Sequence, residues 1–167
     1  PDTFDHEFFE IPSEQAAFMD PQHRKLLEVA HEALEDAGML VDHEDKRDVG
    51  VYVGINPSTY FDLVIDYMNR SLGKAVHSHA MVGNMSNIAA ASISHMYNFT
   101  GPALSIDTAC SSFLVALTQA VAAIQDKRIS GAVVGGANIL ATPHVHQLSR
   151  NAGICSSTQH TKVFDRE

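Results

Sequence analysis

Between Ala103 and Ile139 two short apolar runs flank a longer apolar stretch of different period, and this pattern restricts the possible folds most. Ala103-Leu104-Ser105-Ile106 reads as a short buried strand, and Ala132 to Ile139 as another. Between them, apolar residues at 113, 114, 117, 120, 121 and 124 have helical spacing over Phe113 to Ile124. The same alternation runs through the earlier chain. Asp20 is suited to cap a helix, Pro21 to its first position and Gly38 to its stop, with Leu26, Leu27, Ala30, Ala33, Leu34 and Ala37 as one apolar stripe. An acidic loop over 42–48 leads to a strand from Val49 to Ile55, which Asn56-Pro57 ends. A short helix is predicted over 58–69, a loop over 73–78, and a helix rich in Ala and Ser over 84–97. Strands alternating with helices predict an α/β fold, its largely parallel sheet covered by helices on both faces.

At 167 residues and 45% hydrophobic, the chain is long enough to bury a core. It contains no internal repeat, low-complexity tract or linker. No apolar run reaches membrane-spanning length and no signal pattern opens the chain, so no membrane partner is expected. A formal net charge of -9 argues against nucleic acid. The two cysteines, Cys110 and Cys155, make no spaced framework, which points to a reducing, cytoplasmic setting.

Cys110 sits in Asp107-Thr108-Ala109-Cys110-Ser111-Ser112, at the junction between the strand and the helix that follows. There the unpaired N–H groups of the helix start and the helix dipole favour a thiolate, the form that attacks carbonyls. The same N–H groups can hold the oxyanion of a tetrahedral intermediate. The residues alone leave a second reading open, in which Cys110 is a small packing residue. Other candidates are weaker. A His-x-His pair on a strand puts both rings on one face, a geometry metals use, and His77/His79 and His144/His146 have that spacing. No Cys or carboxylate stands at ligand spacing to them, so no metal is expected and surface histidines are the simpler account. His95 precedes the Cys110 strand and is read as a satisfied polar residue at a helix junction. Gly131 and Gly135-Gly136 lie in or beside a strand, unlike a phosphate loop. Ser111 and Ser112 lie outside any Gly-x-Ser-x-Gly elbow, and Cys155 looks incidental.

Asp107-Thr108-Ala109-Cys110-Ser111-Ser112, followed by Leu114-Val115-Ala116, resembles the active-site signature of ketosynthases of type I polyketide synthases and animal-type fatty acid synthases. Phe4-Asp5, Glu7-Phe8-Phe9, Met19-Asp20-Pro21-Gln22, Leu26-Leu27-Glu28 and Glu32 to Gly38 resemble the family's opening segment. Val51 to Gly54, Gly101-Pro102-Ala103, Val134 to Asn138, Leu148-Ser149-Arg150 and Thr161 to Asp165 follow in the family's order. The resemblance thus runs from end to end of the chain.

The resemblance implies a thiolase-like fold of α/β/α/β/α layers, with residues 1–167 as a partial ketosynthase domain within its N-terminal half. It lacks the first strand and the C-terminal half. The family's two downstream histidines, in His-Gly-Thr-Gly-Thr and Asn-x-Gly-His motifs, do not occur here. Cys110 would then accept an acyl chain from a phosphopantetheine thioester, before decarboxylative condensation with a malonyl-type extender. This piece alone is expected to be unable to condense. No cofactor is expected to be bound: substrates would arrive on the phosphopantetheine of an acyl carrier protein. Expected partners are acyl carrier protein and acyltransferase domains and a second ketosynthase, the Ala103–Ile106 strand lying at the homodimer interface. Exposed apolar surface is expected on the piece by itself. Arg24-Lys25 and Lys127-Arg128 are the local basic pairs suited to an acidic carrier, or else solvated surface. A non-elongating acyl-transfer ketosynthase and a non-catalytic remnant are the alternatives. Departures from the family pattern are Ala91-Ser92 for a Gly-Arg pair, Phe113 for a third serine, and Cys155-Ser156-Ser157 for Leu-Ser-Pro.

Overall fold

The computed structural model describes residues 3–39, 47–71, 78–158, 160–164 and 166. The helices are α1 (Ser13–Phe18), α2 (Pro21–Asp36), α3 (Tyr60–Arg70), α4 (Ser78–Val82), α5 (Ser86–Met96), α6 (Ser112–Gln125) and α7 (Pro143–Asn151). The strands are β1 (Val49–Ile55), β2 (Ala103–Ile106) and β3 (Gly131–Ala137). They form a parallel sheet in the order β2-β1-β3, with Val51 opposite Ala103 on one side and Val133 on the other.

All seven residues of β1 are buried, because both its edges and both its faces are covered. Its alternating side chains divide the core. Val49, Val51, Val53 and Ile55 pack in one cluster with Leu26, Leu27, Ala30 and Leu34 of α2 and Ala89, Ala90 and Ile93 of α5. Tyr52 faces the other way, into Ala116, Ala120 and Ala123 of α6 and Ile129. The result is three layers, helix on sheet on helix. Alanine on the inward side of α6 lets that helix lie close to the sheet. Its outward side is also apolar, and Phe113, Leu114, Leu117, Val121 and Ile124 are exposed, Leu114 by 63%. The edge strand β2 exposes Ala103 and Leu104. Exposed apolar surface was the expectation, and these two elements carry it.

Most predicted elements are present, and the shifts at their ends have local causes. The α2 cap is as expected: Asp20 Oδ1 accepts from Gln22 N at 2.8 Å, and Gly38 leaves the helix at φ +64°. The helix predicted from 58 begins at Tyr60, because the Ser58 hydroxyl stays outside it and accepts from Phe61 N at 3.2 Å. The helix predicted from 84 begins at Ser86, since the Asn84 amide is engaged with Ala80 O at 2.7 Å and Phe18 O at 2.8 Å. The last strand stops at Ala137 rather than Ile139, because Ile139 N donates to the Gln22 side chain at 3.1 Å. The expected loops over 42–48 and 73–78 fall largely outside the described residues; Ser78 opens α4. Helices α1, α4 and α7 have no counterpart among the predicted elements.

Candidate active site

Helix α7 corrects one sequence reading. His144 and His146 stand on a helix opened by Pro143, not on a strand, so their side chains leave the helix in divergent directions. His77 lies outside the described residues, and His79 is on α4. Among the described residues, no group of three His, Cys, Asp or Glu side chains is placed to hold a metal.

Cys110 lies just past the end of β2, on a single turn of 3-10 helix, Ala109–Ser111, that runs into α6. Its thiol is free and exposed, and among the described residues no acceptor takes its N–H. Three side chains fix the turn around it. Asp107 Oδ1 accepts from Ala109 N at 3.0 Å. The Ser111 hydroxyl donates to Thr108 O at 2.7 Å. The Ser112 hydroxyl accepts from Thr108 N at 2.9 Å and donates to Ala109 O at 2.7 Å. Ala109 itself is held at φ +56°, a left-handed conformation that residues with a Cβ avoid. Cys110 is thus presented outward from a bent, well-bonded turn.

The turn is seated against β1 at Gly54. A Cβ there would stand 2.6 Å from Phe113 N and 2.7 Å from the Ser112 carbonyl carbon, so only glycine admits the start of α6. The neighbouring ends of β1 and β3 are tied by one side chain. Gln22 Nε2 donates to Asp20 Oδ2 at 3.1 Å and to Asn56 O at 3.3 Å, while Gln22 Oε1 takes the Ile139 N–H. Thr59 Oγ1 accepts from Ala141 N at 2.8 Å, adding a second tie to the loop after β3. These contacts define the carboxyl end of the sheet, where parallel α/β folds place their ligands.

His23, next to Gln22, is 1% exposed, and neither ring nitrogen has a protein partner. Burial lowers its pKa from 6.5, opposed in part by the Asp20 carboxylate. His95 is exposed near the end of α5, before β2 begins, whereas Cys110 follows the end of β2. It lines a cleft of about 840 Å³ with Phe8, Phe9, His31 and Tyr97, and Cys110 is not in that lining. In the cleft Tyr97 OH lies 3.0 Å from His31 Nδ1, and burial pushes the Tyr97 phenol up to about 12. Of the basic pairs, Lys25 meets Glu28, Arg128 meets Asp126 at 3.4 Å, and Arg24 lies over the Tyr60 ring at 5.9 Å. Cys155 is half-buried after α7.

The family model of the beta-ketoacyl synthase N-terminal domain matches residues 1–167. The chain belongs to the beta-ketoacyl synthase family. It is 41% identical over 165 residues to the 5-methylorsellinic acid synthase of Aspergillus terreus, covering 99% of this chain and 6% of that protein. It is 41% identical over 167 residues to the non-reducing polyketide synthase mapC of Penicillium roqueforti, again covering 99% and 6%. The ketosynthase from module 6 of the bacillaene synthase of Bacillus subtilis 168 superposes with a TM-score of 0.81 at 37% identity, over 97% of this chain and 26% of that one. The oxazolomycin ketosynthase domain OzmH KS7 of Streptomyces albus JA3453 gives 0.78 at 31% identity, over 90% and 26%. The α/β architecture is therefore the thiolase-like ketosynthase fold, and the chain spans about a quarter of each of those solved ketosynthases.

Gly54 and Ser112 frame the Cys110 turn and Gln22 ties the adjoining ends of β1 and β3, roles the sequence does not assign: there Gly54 and Gln22 are parts of family-like segments and Ser112 a serine outside any nucleophile elbow. Ser112 is the fourth residue after Thr108, a spacing that permits its bond back to that N–H. Gly54 alternates with Tyr52 and Gly50 on the α6 side of β1, which marks a close helix approach once the strand is known.

Proposed function

We propose that this chain is the nucleophile-bearing part of the ketosynthase domain of a polyketide synthase, and that Cys110 is its acyl acceptor. The observation that carries this is the exposed thiol on the bent turn at the start of α6, beside its own unspent N–H. The thiolate attacks the carbonyl carbon of an acyl thioester carried on phosphopantetheine. Its new C–S bond forms as the carbonyl becomes an oxyanion, which the Cys110 N–H can receive. Collapse breaks the old C–S bond; the departing phosphopantetheine thiolate takes up a proton, and the acyl group remains on Cys110. A malonyl-type extender on a carrier protein then loses carbon dioxide. Its carbanion attacks the acyl-cysteine, releasing the thiol and a β-ketoacyl product. The groups that promote decarboxylation are assigned to the rest of the domain.

Acyl carrier protein and acyltransferase domains are the proposed partners, in the cytoplasm. A second ketosynthase is proposed along β2, whose Ala103 and Leu104 are exposed at the sheet edge. The test is to incubate the intact ketosynthase domain with an acyl-N-acetylcysteamine thioester and locate the added mass by peptide mass spectrometry. The acyl group is expected on Cys110 and is expected to be lost in Cys110→Ala. Labelling elsewhere, or label retained in that variant, contradicts the assignment. Adding malonyl carrier protein should then give a β-ketoacyl product; acylation with no such product would leave acyl transfer alone.

A further inference from the structure

We infer that Ser112 is a positioning residue for Cys110, its hydroxyl latching the turn that presents the thiol; this rests on Cys110 being the acyl acceptor. The hydroxyl bonds the carbonyl of the peptide unit that carries the Cys110 N–H, and also the N–H of Thr108, two residues before the cysteine. It takes the Thr108 N–H at 2.9 Å and gives its proton to Ala109 O at 2.7 Å. Because that peptide unit is planar, fixing Ala109 O also fixes the direction of the Cys110 N–H, while the bond from Thr108 N anchors the hydroxyl itself. Ala109 stays at φ +56° only while its neighbours hold it, since an alanine left free returns to negative φ. Asp107 grips the Ala109 N–H, and Ser112 grips its C=O twice, by its backbone N–H and by its hydroxyl, so the strained residue is held at both ends.

Ser112 differs from the other side chains of the turn in being 6% exposed, where Asp107 and Ser111 are exposed. Water can replace the bonds of Asp107 and Ser111, but not those of Ser112. Its backbone is also backed against Gly54, so the latch cannot recede. With the Ser112 hydroxyl in place, the Cys110 N–H and thiol keep one fixed relation. Without it, Ser112 holds Ala109 O only by its backbone N–H, and the Cys110 N–H loses its fixed aim at the oxyanion position. Acyl transfer needs that alignment, whereas alkylation by a small reagent needs only an accessible thiolate.

The experiment compares Ser112→Ala, Ser112→Thr and the remote control Ser130→Ala in the intact ketosynthase domain. Cys110 acylation by an acyl-N-acetylcysteamine thioester and alkylation by iodoacetamide are followed by mass across pH, alongside thermal midpoints. Ser112→Ala is expected to slow acylation on the order of ten- to a hundredfold, with alkylation changed by about threefold or less. Ser112→Thr keeps the hydroxyl and is expected to restore most of the rate, and Ser130→Ala, which loses an exposed hydroxyl bond to Asp48 O at the amino end of the sheet, to leave it nearly unchanged. The double variant Ala109→Gly/Ser112→Ala separates latching from plain stability, because glycine holds a positive φ without help. It is expected to recover acylation at least about fivefold over Ser112→Ala. Acylation at the wild-type rate in Ser112→Ala, equal loss of acylation and alkylation, or no recovery in the double variant would each overturn the latch. Wild-type domain that takes no acyl group at Cys110 overturns the acyl-acceptor reading and the latch together, and is recognised before any variant is made.

Discussion

Replacing Gly54 by alanine tests how tightly the Cys110 turn is seated on the sheet. The added methyl would lie 2.6 Å from Phe113 N, 2.7 Å from the Ser112 carbonyl carbon and 3.0 Å from Phe113 Cα, all backbone atoms. Comfortable separations between such atoms are about 3.5–4.0 Å, so the first turn of α6 must withdraw by about 1 Å. No side chain can swing aside to spare it. The withdrawal also lifts Ala116 and Ala120 from Tyr52, opening a gap in a layer that is now fully buried. Overpacking typically costs 1–3 kcal/mol, and rigid neighbours place this case near the top, at about 3 kcal/mol. Gly131→Ala is the matched control, since a methyl there meets only Val49 Cγ2 at 3.8 Å, an ordinary contact. Urea unfolding of the intact ketosynthase domain should therefore show a loss of about 3 kcal/mol for Gly54→Ala and less than about 0.5 kcal/mol for Gly131→Ala. A Gly54→Ala protein within about 0.5 kcal/mol of wild type would refute the seating, as would equal losses from the two substitutions.

Acid should weaken the fold through His23. Burial lowers its folded pKa, so below 6.5 the unfolded chain binds the extra proton; His23's contribution is complete above 6.5 and is lost as pH falls from there toward the folded value. The slope approaches about 1.4 kcal/mol per pH unit, and denaturation midpoints measured from pH 7.5 to 5 should lose that component in His23→Leu. Asp20→Ala removes the α2 cap and one anchor of Gln22, and calorimetry should show a loss of about 2 kcal/mol. Glu10 is exposed at φ +53°, so Glu10→Gly should stabilise by about 0.5 kcal/mol, the relief of left-handed strain exceeding the cost of a freer unfolded chain; a lower thermal midpoint would contradict this.

The α/β pattern was legible because each strand and each long helix carries its own period. Val49–Ile55 and Ala103–Ile106 agree with their predicted ends to the residue. The nucleophile candidate was legible too, since the strand–Cys110–helix order alone puts the thiol at a helix start. What could not be read were bonds made by side chains distant in sequence. Gln22 takes the Ile139 N–H from 117 residues away and so ends β3 early. Asn84 looked like the start of a helix but closes α4 against α1. Nothing in the residues around Ala109 announced a positive φ, because the hydroxyl and carboxylate that hold it are specified only once the turn exists. Helix α7 escaped notice because its residues are polar or isolated in type, and none of them is buried.

The position of β1 at the centre of the sheet has a consequence for synthesis on the ribosome. Val49 finds its partner Gly131 only 82 residues later, whereas β2, on the other flank, is made first and can pair with β1 sooner. At about 5–20 residues per second, the most apolar strand of the chain waits roughly 4–16 s between its own translation and that of β3. During that interval the amides and carbonyls on its β3 side are open to any other extended segment, including the same strand on the next ribosome of a polysome. Translation speed between α3 and α6 therefore bears directly on yield, and a chain stalled before Gly131 leaves β1 with one edge bare.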